Sequence, residues 1–391
     1  MLRSILTKVS IVLASLLILF VVLEVGSRWY LWQVASDEYF AFNASLRQLH
    51  DRAEPEEESV PWFFELDRYV GYRNAPNPVP NRFDQNNLGF RGDDMTIEKP
   101  DGVYRIAIVG SSLVYDPQHD VTESYPYLLE QRLRDMGYNV QVVNAGGANY
   151  TTLESMTLLG TAVLEVDPDL VIIYHGRSDA HHRLVWPPSA YRANYRGSQS
   201  VDVNIQFTPP AYEFSTMIRI VGINFGWIDS HALRYDTTIF YNPSTAFADD
   251  YRIQHLTRSF PDGIFEEVSI DEMFDANPPI YFESNLRAMV GMTLVNDVTP
   301  LLMTVSSYHD YPMDVYPRAA SPAYQRAYQQ HNDVTRRVAS ELDVPLFDFA
   351  EAMPSDAAYY SDGSHFTVAG NAIRVPIVAD YLIASGLLPE I

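Results

Sequence analysis

Short apolar runs alternate with stretches of helical periodicity through most of the chain. The runs have the length of buried strands, and the stretches between them repeat apolar residues every three or four positions, as amphipathic helices do. The predicted strands are residues 105–110, 139–143, 170–174, 300–305 and 345–349. The predicted helices are residues 123–136, 151–166, 283–295, 322–342 and 368–384. This alternation predicts a mainly parallel five-stranded sheet with helices on both faces, an α/β/α sandwich whose sites lie at the carboxyl ends of the strands.

The N-terminal segment has the pattern of a membrane anchor. Residues 9–23 are uncharged and mostly apolar, and aromatic residues follow up to Trp32. A helix over residues 9–32 is about 36 Å long, which crosses a hydrocarbon core of about 30 Å and leaves aromatic rings in the far interface. Glu24 and Arg28 are four residues apart and can pair on one face of that helix.

Charge predicts the orientation of this span. Arg3 and Lys8 precede it, so the N-terminus is expected in the cytoplasm and the main domain in the periplasm or outside the cell, in a single-pass protein of the inner membrane. The alternative is a cleaved signal peptide, with residues 34–36 as the cleavage site. The aromatic residues at the exit favour a retained signal anchor.

The patterns divide the chain into three regions. Residues 1–36 are the predicted transmembrane helix, residues 37–104 a spacer or capping segment with acidic and proline-rich runs, and residues 105–391 the α/β domain. An insertion at about 182–280, rich in aromatic residues and proline, interrupts that domain. It contains a candidate amphipathic helix near residues 214–225.

Composition narrows the classes of function. The 27 basic residues against 50 acidic ones give a net charge of −23, and that field repels nucleic acid and other polyanions. The absence of cysteine excludes disulfides, thiolate metal sites and cysteine nucleophiles. His175, His181 and His182 with Asp179 could be drawn as a metal site, but neighbouring histidines after a strand are more often loop residues. We expect no nucleic-acid partner, no metal and no cofactor.

Two short segments carry candidate chemistry. Ser112 follows the first predicted strand within residues 110–113, Gly-Ser-Ser-Leu, and a serine at such a turn can expose its hydroxyl while nearby N–H groups stabilise an oxyanion. A helix cap is the simpler interpretation of that serine turn alone. Asp362 stands three residues before His365, and this spacing lets the carboxylate orient the ring so that its other nitrogen accepts a proton from a serine.

These segments resemble the motifs of the SGNH hydrolases, also called the GDSL family. Residues 110–113 are similar to the first block, Gly-Asp-Ser-Leu, and residues 362–365 to the last block, Asp-x-x-His. Residues 87–92, Asn-Leu-Gly-Phe-Arg-Gly, and residues 123–126, Glu-Ser-Tyr-Pro, resemble segments of membrane-anchored bacterial members. The resemblance covers roughly residues 87–385 apart from the insertion, and it implies a flavodoxin-like fold.

The resemblance also implies roles for individual residues. Ser112 is the implied nucleophile, His365 the general base and Asp362 its orienting partner. The oxyanion hole is implied to contain Ser112, Gly146, Asn149 and Ser178.

Three positions depart from the family pattern. The Asp of the first block is Ser111 here, which leaves the serine turn intact. The second-block glycine that donates to the oxyanion aligns with Asn149, although Gly146 and Thr151 match. Asn tolerates left-handed backbone better than most residues, so a backbone donor survives if Asn149 adopts those dihedral angles. Ser178 replaces the side-chain amide of the third block, and loss of one oxyanion donor lowers the rate on the order of 10²–10³-fold.

Two hypotheses of function follow. The resemblance implies a membrane-anchored, extracytoplasmic serine esterase or O-acyltransferase acting on acyl esters, above all O-acetyl esters, of envelope glycans or lipids. The alternative is a catalytically weak domain that serves as a structural or accessory subunit of a membrane complex, with the insertion at about 182–280 contacting other subunits. Retention of Ser112, Asp362 and His365 together favours the enzyme.

Overall fold

Seven strands form two sheets in the part of the chain that the structure describes. The structure is a computed structural model, and it describes residues 2–45, 47–48, 52, 64–67, 69–74, 76, 85–183, 188, 191, 193, 211–228, 230, 270–308, 310 and 322–390. The strands are β1 (Phe64–Asp67), β2 (Gly71–Asn74), β3 (Tyr104–Gly110), β4 (Val140–Gly146), β5 (Leu170–Tyr174), β6 (Thr299–Met303) and β7 (Leu346–Phe347). β1 and β2 form an antiparallel hairpin, whereas the other five strands form a parallel sheet in the order β4-β3-β5-β6-β7.

Helices connect and flank these strands. They are α1 (Leu2–Gln33), α2 (Asp37–Asn43), α3 (Ser112–Tyr115), α4 (Tyr125–Asp135), α5 (Thr152–Leu158), α6 (Arg177–His182), α7 (Thr216–Asn224), α8 (Ile270–Ala276), α9 (Ile280–Val295), α10 (Pro322–Leu342), α11 (Phe349–Ala352) and α12 (Val368–Ala384). The predicted parallel five-stranded α/β fold is confirmed, and the bounds of α10 and α12 agree with the sequence patterns.

The chain divides into two compact units. The sheet unit comprises Val60–Gly197 and Ser269–Ile391, and the N-terminal unit comprises Met1–Ser59 and Ser198–Val268. The predicted spacer at 37–104 is therefore shared between the two units. The predicted insertion at about 182–280 is divided in the same way, and most of it groups with the N-terminal unit.

The parallel sheet is buried on both faces, as its nearly continuous apolar strands require. Side chains alternate between the faces along each strand. On one face, α4 and α12 pack over a core that includes Ile106, Ile108, Leu170, Ile172 and Leu301. The intervening residues Ala107, Val109, Val171, Ile173 and Leu302 are equally buried and belong to the opposite face. Helix α9 packs against both α5 and α10, and α9 and α10 also contact β6.

The register of the strands brings their carboxyl ends to one edge. Gly110 at the end of β3 pairs with Gly146 of β4 and with Tyr174 of β5. Tyr174 pairs in turn with Met303, which pairs with Phe347. The loops after β3, β4 and β5 therefore start side by side, at the edge where a parallel sheet places its functional site.

Several elements differ from their predicted bounds, among them β6, which ends at Met303, and β7, which has two residues. Two of these differences have a physical reason in the structure. β4 continues to Gly146 because its small and polar last residues complete the ladder with β3, a pairing that apolar periodicity does not reveal. The helix predicted at 151–166 is α5 followed by a π-helical turn, Leu159–Val163, and a 3₁₀ turn, Leu164–Val166. The hydroxyl of Thr161 donates to the carbonyl oxygen of Thr157 at 2.7 Å, a contact that bends helices.

The hairpin β1–β2 lies in the predicted spacer and supports the loop after β4. The Tyr72 hydroxyl donates to the carbonyl oxygen of Ala148 at 2.5 Å, and the Tyr150 hydroxyl donates to the carbonyl oxygen of Tyr72 at 2.7 Å. The two tyrosine rings also pack edge to face, with centroids 5.2 Å apart. The hairpin is thus part of the framework of the sheet unit.

The N-terminal unit is built around α1. Within the described residues, this is the one helix long and apolar enough to cross a membrane, over Thr7–Gln33, by length and composition alone. A signal sequence near an N-terminus meets the same criterion. α2 folds back on the end of α1, where Leu31, Phe40 and Ala44 are buried together and Trp32 packs edge to face on Phe40.

Candidate active site

Ser112 lies at the turn between β3 and α3. Ser111 caps α3, because its hydroxyl oxygen accepts a hydrogen bond from the backbone N–H of Leu113 at 3.4 Å. Ser and Asp are both favoured N-cap residues, so Ser111 keeps this function where the related motif has Asp. Ser112 is the first helical residue, and its N–H has no intrahelical acceptor. That N–H is suited to donate to an oxyanion.

Two glycines let the loops after β3 and β4 pack closely. A Cβ at Gly110 would lie 2.7 Å from the carbonyl oxygen of Tyr174, and one at Gly146 would lie 2.3 Å from the backbone nitrogen of Tyr115. Neither position has room for a side chain. The turn that carries Ser112 is thereby held against β4 and β5.

The side chains of Ser112, His365 and Asp362 form one hydrogen-bonded chain. Ser112 Oγ lies 2.8 Å from His365 Nε2, and His365 Nδ1 lies 2.6 Å from Asp362 Oδ2. Asp362 Oδ1 accepts hydrogen bonds from the backbone N–H groups of Ser364 at 3.1 Å and His365 at 2.8 Å. The carboxylate therefore holds Nδ1, which leaves Nε2 to face the serine oxygen as a base.

The electrostatic environment suits this arrangement. Although burial raises the pKa of Asp362, hydrogen bonds from His365 and the positive charge of Arg177 outweigh it and hold that pKa well below its usual range. Burial lowers the pKa of His365 and Arg177 lowers it further, whereas the carboxylates of Asp362 and Asp116 act in the opposite direction. His365 is therefore neutral near pH 7, the state that can accept the proton of Ser112.

Arg177 contacts the carboxylate end of this chain. It is buried, its Nε donates to Ser364 Oγ at 2.6 Å, and its Nη2 lies 3.5 Å from Asp362 Oδ2. Ser364 Oγ donates in turn to Asp362 Oδ1 at 3.2 Å. Sequence reasoning did not place Arg177 among the site residues. Its position beside Ser178 in the third motif block, residues 176–179, was the available signal, but its partner Asp362 comes from a segment 185 residues away.

Two of the implied oxyanion donors are the last residue of β4, Gly146, and Asn149 in the loop that follows. Asn149 has a φ of +58°, in the left-handed region that Asn tolerates, which is the condition for its backbone to replace the family's glycine. The N–H of Gly146 donates to Oδ1 of Asn144 at 3.1 Å. This bond differs from the oxyanion role implied for Gly146, because a donor bonded within its own strand end is not available to a substrate. Gly146 instead allows close packing.

Ser178 lies on α6, directly after β5. It is fully buried, and its hydroxyl oxygen has no hydrogen-bond partner within the described part of the chain. The next residue, Asp179, accepts hydrogen bonds from the N–H and the hydroxyl of Thr152 at 2.9 and 2.7 Å. This contact joins the start of α5 to α6, so the loops after β4 and β5 are held together.

The segment 87–92 anchors α3, the helix that begins with Ser112. Its Arg91 is buried, and the guanidinium donates to the carbonyl oxygens of Tyr115, Asp116 and His119, with the first contact at 2.7 Å. The C-terminal carbonyls of α3 are thereby satisfied. Sequence reasoning recognised the segment as similar to the family's lead-in without assigning this role to its arginine.

The histidines that follow β5 are packed into the sheet unit. His181 Nδ1 lies 3.0 Å from the Tyr324 hydroxyl, and His175 Nδ1 lies 3.6 Å from Asp179 Oδ2. Across the residues with described positions, no group of three or more His, Cys, Asp or Glu side chains is arranged to hold a metal ion.

The family model of the GDSL-like lipase/acylhydrolase family matches residues 108–373, a span that contains Ser112, Asp362 and His365. The chain belongs to this family. Membership in the GDSL-like family makes acyl-ester hydrolysis the general chemistry to consider at this site. No curated protein matches the chain significantly.

Solved structures that match the chain include three enzymes that act as hydrolases or esterases by their descriptions. A lipase/acylhydrolase from Enterococcus faecalis is 17 % identical, with 73 % of this chain and 97 % of that chain covered and a TM-score of 0.41. LAE5, an α/β hydrolase from the metagenome of Lake Arreo, Spain, is 17 % identical, with 73 % and 97 % covered and a TM-score of 0.39. The acetyl xylan esterase AlAXEase is 12 % identical, with 72 % and 98 % covered and a TM-score of 0.39.

Proposed function

We propose that this member of the GDSL-like family is a membrane-anchored serine esterase in which Ser112 is the nucleophile, His365 the general base and Asp362 the carboxylate that orients His365. The observation that carries the proposal is the continuous chain of contacts, 2.8 Å from Ser112 Oγ to His365 Nε2 and 2.6 Å from His365 Nδ1 to Asp362 Oδ2. Such contacts place a base within proton-transfer distance of a serine hydroxyl.

The first half-reaction acylates the serine. His365 Nε2 takes the proton of Ser112 Oγ as that oxygen attacks the ester carbonyl carbon, and the carbonyl oxygen becomes the oxyanion. The backbone N–H groups of Ser112 and Asn149 and the hydroxyl of Ser178 are the proposed donors to that oxygen. Collapse of the intermediate breaks the bond to the alcohol, which leaves with the proton from His365, and the acyl group stays on Ser112.

The second half-reaction releases the acyl group. An acceptor hydroxyl attacks the acyl carbon while His365 Nε2 takes its proton, and Ser112 leaves as the free hydroxyl after regaining a proton from His365. Water as acceptor yields a carboxylic acid, which is the esterase reaction. A sugar hydroxyl as acceptor yields a new ester, which is the O-acyltransferase reaction.

The proposed substrates are acyl esters of envelope glycans or lipids, with O-acetyl esters first. Three observations support this choice: the acylhydrolase family, the apolar helix over Thr7–Gln33, and a net charge of −23 that disfavours phosphorylated substrates. Arg3 and Lys8 before the span support an inner-membrane location with the sheet unit outside the cytoplasm.

The test is hydrolysis of an aryl acetate by the full-length chain in detergent. Ser112→Ala and His365→Ala are each expected to lower kcat by about 10⁴-fold or more, as in other serine hydrolases. Ser385→Ala, at an exposed serine, serves as the control and is expected to leave kcat unchanged. A fluorophosphonate should add its mass to the wild-type chain and not to the Ser112→Ala variant. Equal turnover in wild type and Ser112→Ala would refute the assignment.

One observation favours a second candidate function. Ser178 stands where the family has a side-chain amide, which weakens the implied oxyanion hole and suits a catalytically weak accessory subunit. Absence of both turnover and fluorophosphonate labelling in the folded wild-type chain would support this candidate over the esterase.

A further inference from the structure

One face of α7 is apolar and exposed. Ile218, Val221 and Phe225 are spaced three and four residues apart, so they lie on one side of the helix, and Phe214 is exposed just before the helix begins. Their exposed fractions lie between 38 % and 67 %. We call these four residues the apolar stripe. Trp227, just beyond the helix, is 75 % exposed and stacks on Phe225 with ring centroids 5.0 Å apart.

The opposite face of α7 is fixed within the N-terminal unit. Arg219 is fully buried, pairs with Glu213, and donates to the carbonyl oxygens of Asn43 at 3.2 Å and Ala44 at 2.9 Å, at the end of α2. These bonds fix the rotation of α7 about its own axis. The apolar stripe is therefore held on the outer side of the helix.

The start of α7 is tied to α1 through Glu24. The carboxylate of Glu24 accepts hydrogen bonds from the Ser215 hydroxyl at 2.7 Å, the Thr216 N–H at 2.9 Å and the Met217 N–H at 3.1 Å. One turn later on α1, Arg28 pairs with Glu24 at 2.7 Å and donates to the carbonyl oxygen of Phe214 at 2.7 Å. A carboxylate inside an apolar helix is thereby satisfied.

The position of Glu24 along α1 determines how deep the start of α7 lies in the membrane. From Thr7 to Glu24 the helix rises about 26 Å, so in a spanning helix Glu24 lies near the far edge of a hydrocarbon core of about 30 Å. The exposed aromatic residues Trp29, Tyr30 and Trp32 follow on α1, as expected for a membrane interface. Helix α7 therefore begins in the layer where α1 presents its aromatic side chains.

We propose that α7 lies in the membrane interface beside the exit of α1, with its apolar stripe inserted among the lipids. The proposal rests on the membrane anchoring proposed above and adds a second, specific lipid contact. We assign lipid as the contact of the apolar stripe because the stripe begins at the level of the aromatic residues of α1. The stripe therefore extends the lipid-facing surface of α1. Residues 211–228 expose no lysine or arginine, since their one cation, Arg219, is buried. Insertion is therefore driven by apolar contact and does not need anionic lipid.

The absence of cysteine allows a direct test on the full-length chain. Single variants Val221→Cys, Phe225→Cys, Asn224→Cys and Leu16→Cys are spin-labelled and reconstituted in phosphatidylcholine nanodiscs, and their collision rates with oxygen and with a water-soluble nickel chelate are compared. Asn224 is the matched control, because it is exposed on the same helix but turned about 100° from Phe225. Leu16 reports on the centre of the span.

The labels at Val221 and Phe225 are expected to collide more often with oxygen than with the nickel chelate, as the label at Leu16 does. The label at Asn224 is expected to collide more often with the nickel chelate. Adding phosphatidylglycerol is expected to change none of these ratios. If the label at Leu16 collides mainly with oxygen while the labels at Val221 and Phe225 collide mainly with the nickel chelate, the interfacial contact of α7 is refuted. The proposed membrane anchor is then still supported. If Leu16 itself favours nickel, the anchor fails. Shielding of Val221 and Phe225 from both reagents would show that protein covers the stripe and would overturn the lipid assignment.

Discussion

Arg177 adds a positive charge at the carboxylate end of the Ser112–His365–Asp362 chain. Through Ser364 and Asp362 it fixes the side of the imidazole that does not face the serine. It also contributes to the lowered pKa of His365, after the larger effect of burial. Both effects favour the neutral form of His365.

The effect of this charge can be measured with Arg177→Gln. Removing the cation is expected to raise the pKa of His365, and because only neutral His365 accepts the proton, the acid limb of kcat/KM moves to higher pH. The charged variant Arg177→Lys should keep the midpoint near that of the wild type. If the plateau of kcat/KM falls in Arg177→Gln while the midpoint of its pH profile is unchanged, Arg177 acts through packing alone.

The variant Ser178→Ala separates an effect on catalytic activity from an effect on stability. Its buried hydroxyl has no hydrogen-bond partner within the described residues. Ser178→Ala therefore removes no hydrogen bond that the described residues form in the absence of substrate. If this hydroxyl donates to the oxyanion, kcat falls on the order of 10²-fold while KM and Tm stay close to the wild-type values. Steady-state kinetics and thermal melting of the same preparation check this. An unchanged kcat would remove Ser178 from the proposed oxyanion hole.

At the scale of elements, the shortest helices position the site. α3 has four residues, too few to be stable alone, and its end is held by the buried guanidinium of Arg91. A second arginine supports the same helix, since Arg374 on α12 donates to the carbonyl oxygen of Leu113 at 3.1 Å. The turn that carries Ser112, the proposed nucleophile, is thus supported by two arginines from other segments of the chain.

Arg91→Met should therefore affect both stability and rate. Buried carbonyl oxygens lose their donor, so the free energy of unfolding is expected to fall by on the order of 3 kcal/mol, and kcat falls because Ser112 loses its fixed position. Urea unfolding measures the first effect and aryl acetate turnover the second. Arg132→Met, at an exposed position on α4, is the control and should change stability by less than about 0.5 kcal/mol. Equal effects of the two variants would contradict the role of Arg91.

At the scale of the whole molecule, the proposed anchoring by α1 predicts a membrane-bound protein. We expect a C-terminally tagged chain to remain in the membrane pellet after alkaline carbonate extraction and to retain its N-terminal residues by mass spectrometry. Glu24 and Arg28, bonded to residues 214–217, give α1 a structural role that cleavage would remove. A soluble product that begins near residue 36 would instead show a cleaved signal peptide.

Periodicity predicted the framework of the sheet unit because its strands are buried on both faces and its long helices on one. β5 (Leu170–Tyr174), α10 and α12 have the predicted bounds, because the apolar periodicity of each element is uninterrupted along its length. The hairpin β1–β2 was missed because its strands have four residues each and depend on contacts with the loop after β4. α3 and α6 were likewise hidden, because helices of four and six residues are too short for a periodic signal.

The amino-acid sequence by itself determined the order of strands and helices, the apolar N-terminal helix and the motif residues Ser112, Asp362 and His365, because each is local in the chain. The tertiary structure decided what those residues contact. Ser112 and His365 are 253 positions apart, and only the register of the parallel strands and the docking of α12 bring them within 2.8 Å. The same holds for Arg177 and Asp362 and for Glu24 and α7, since long-range pairing follows from packing and leaves no periodic signal in the chain.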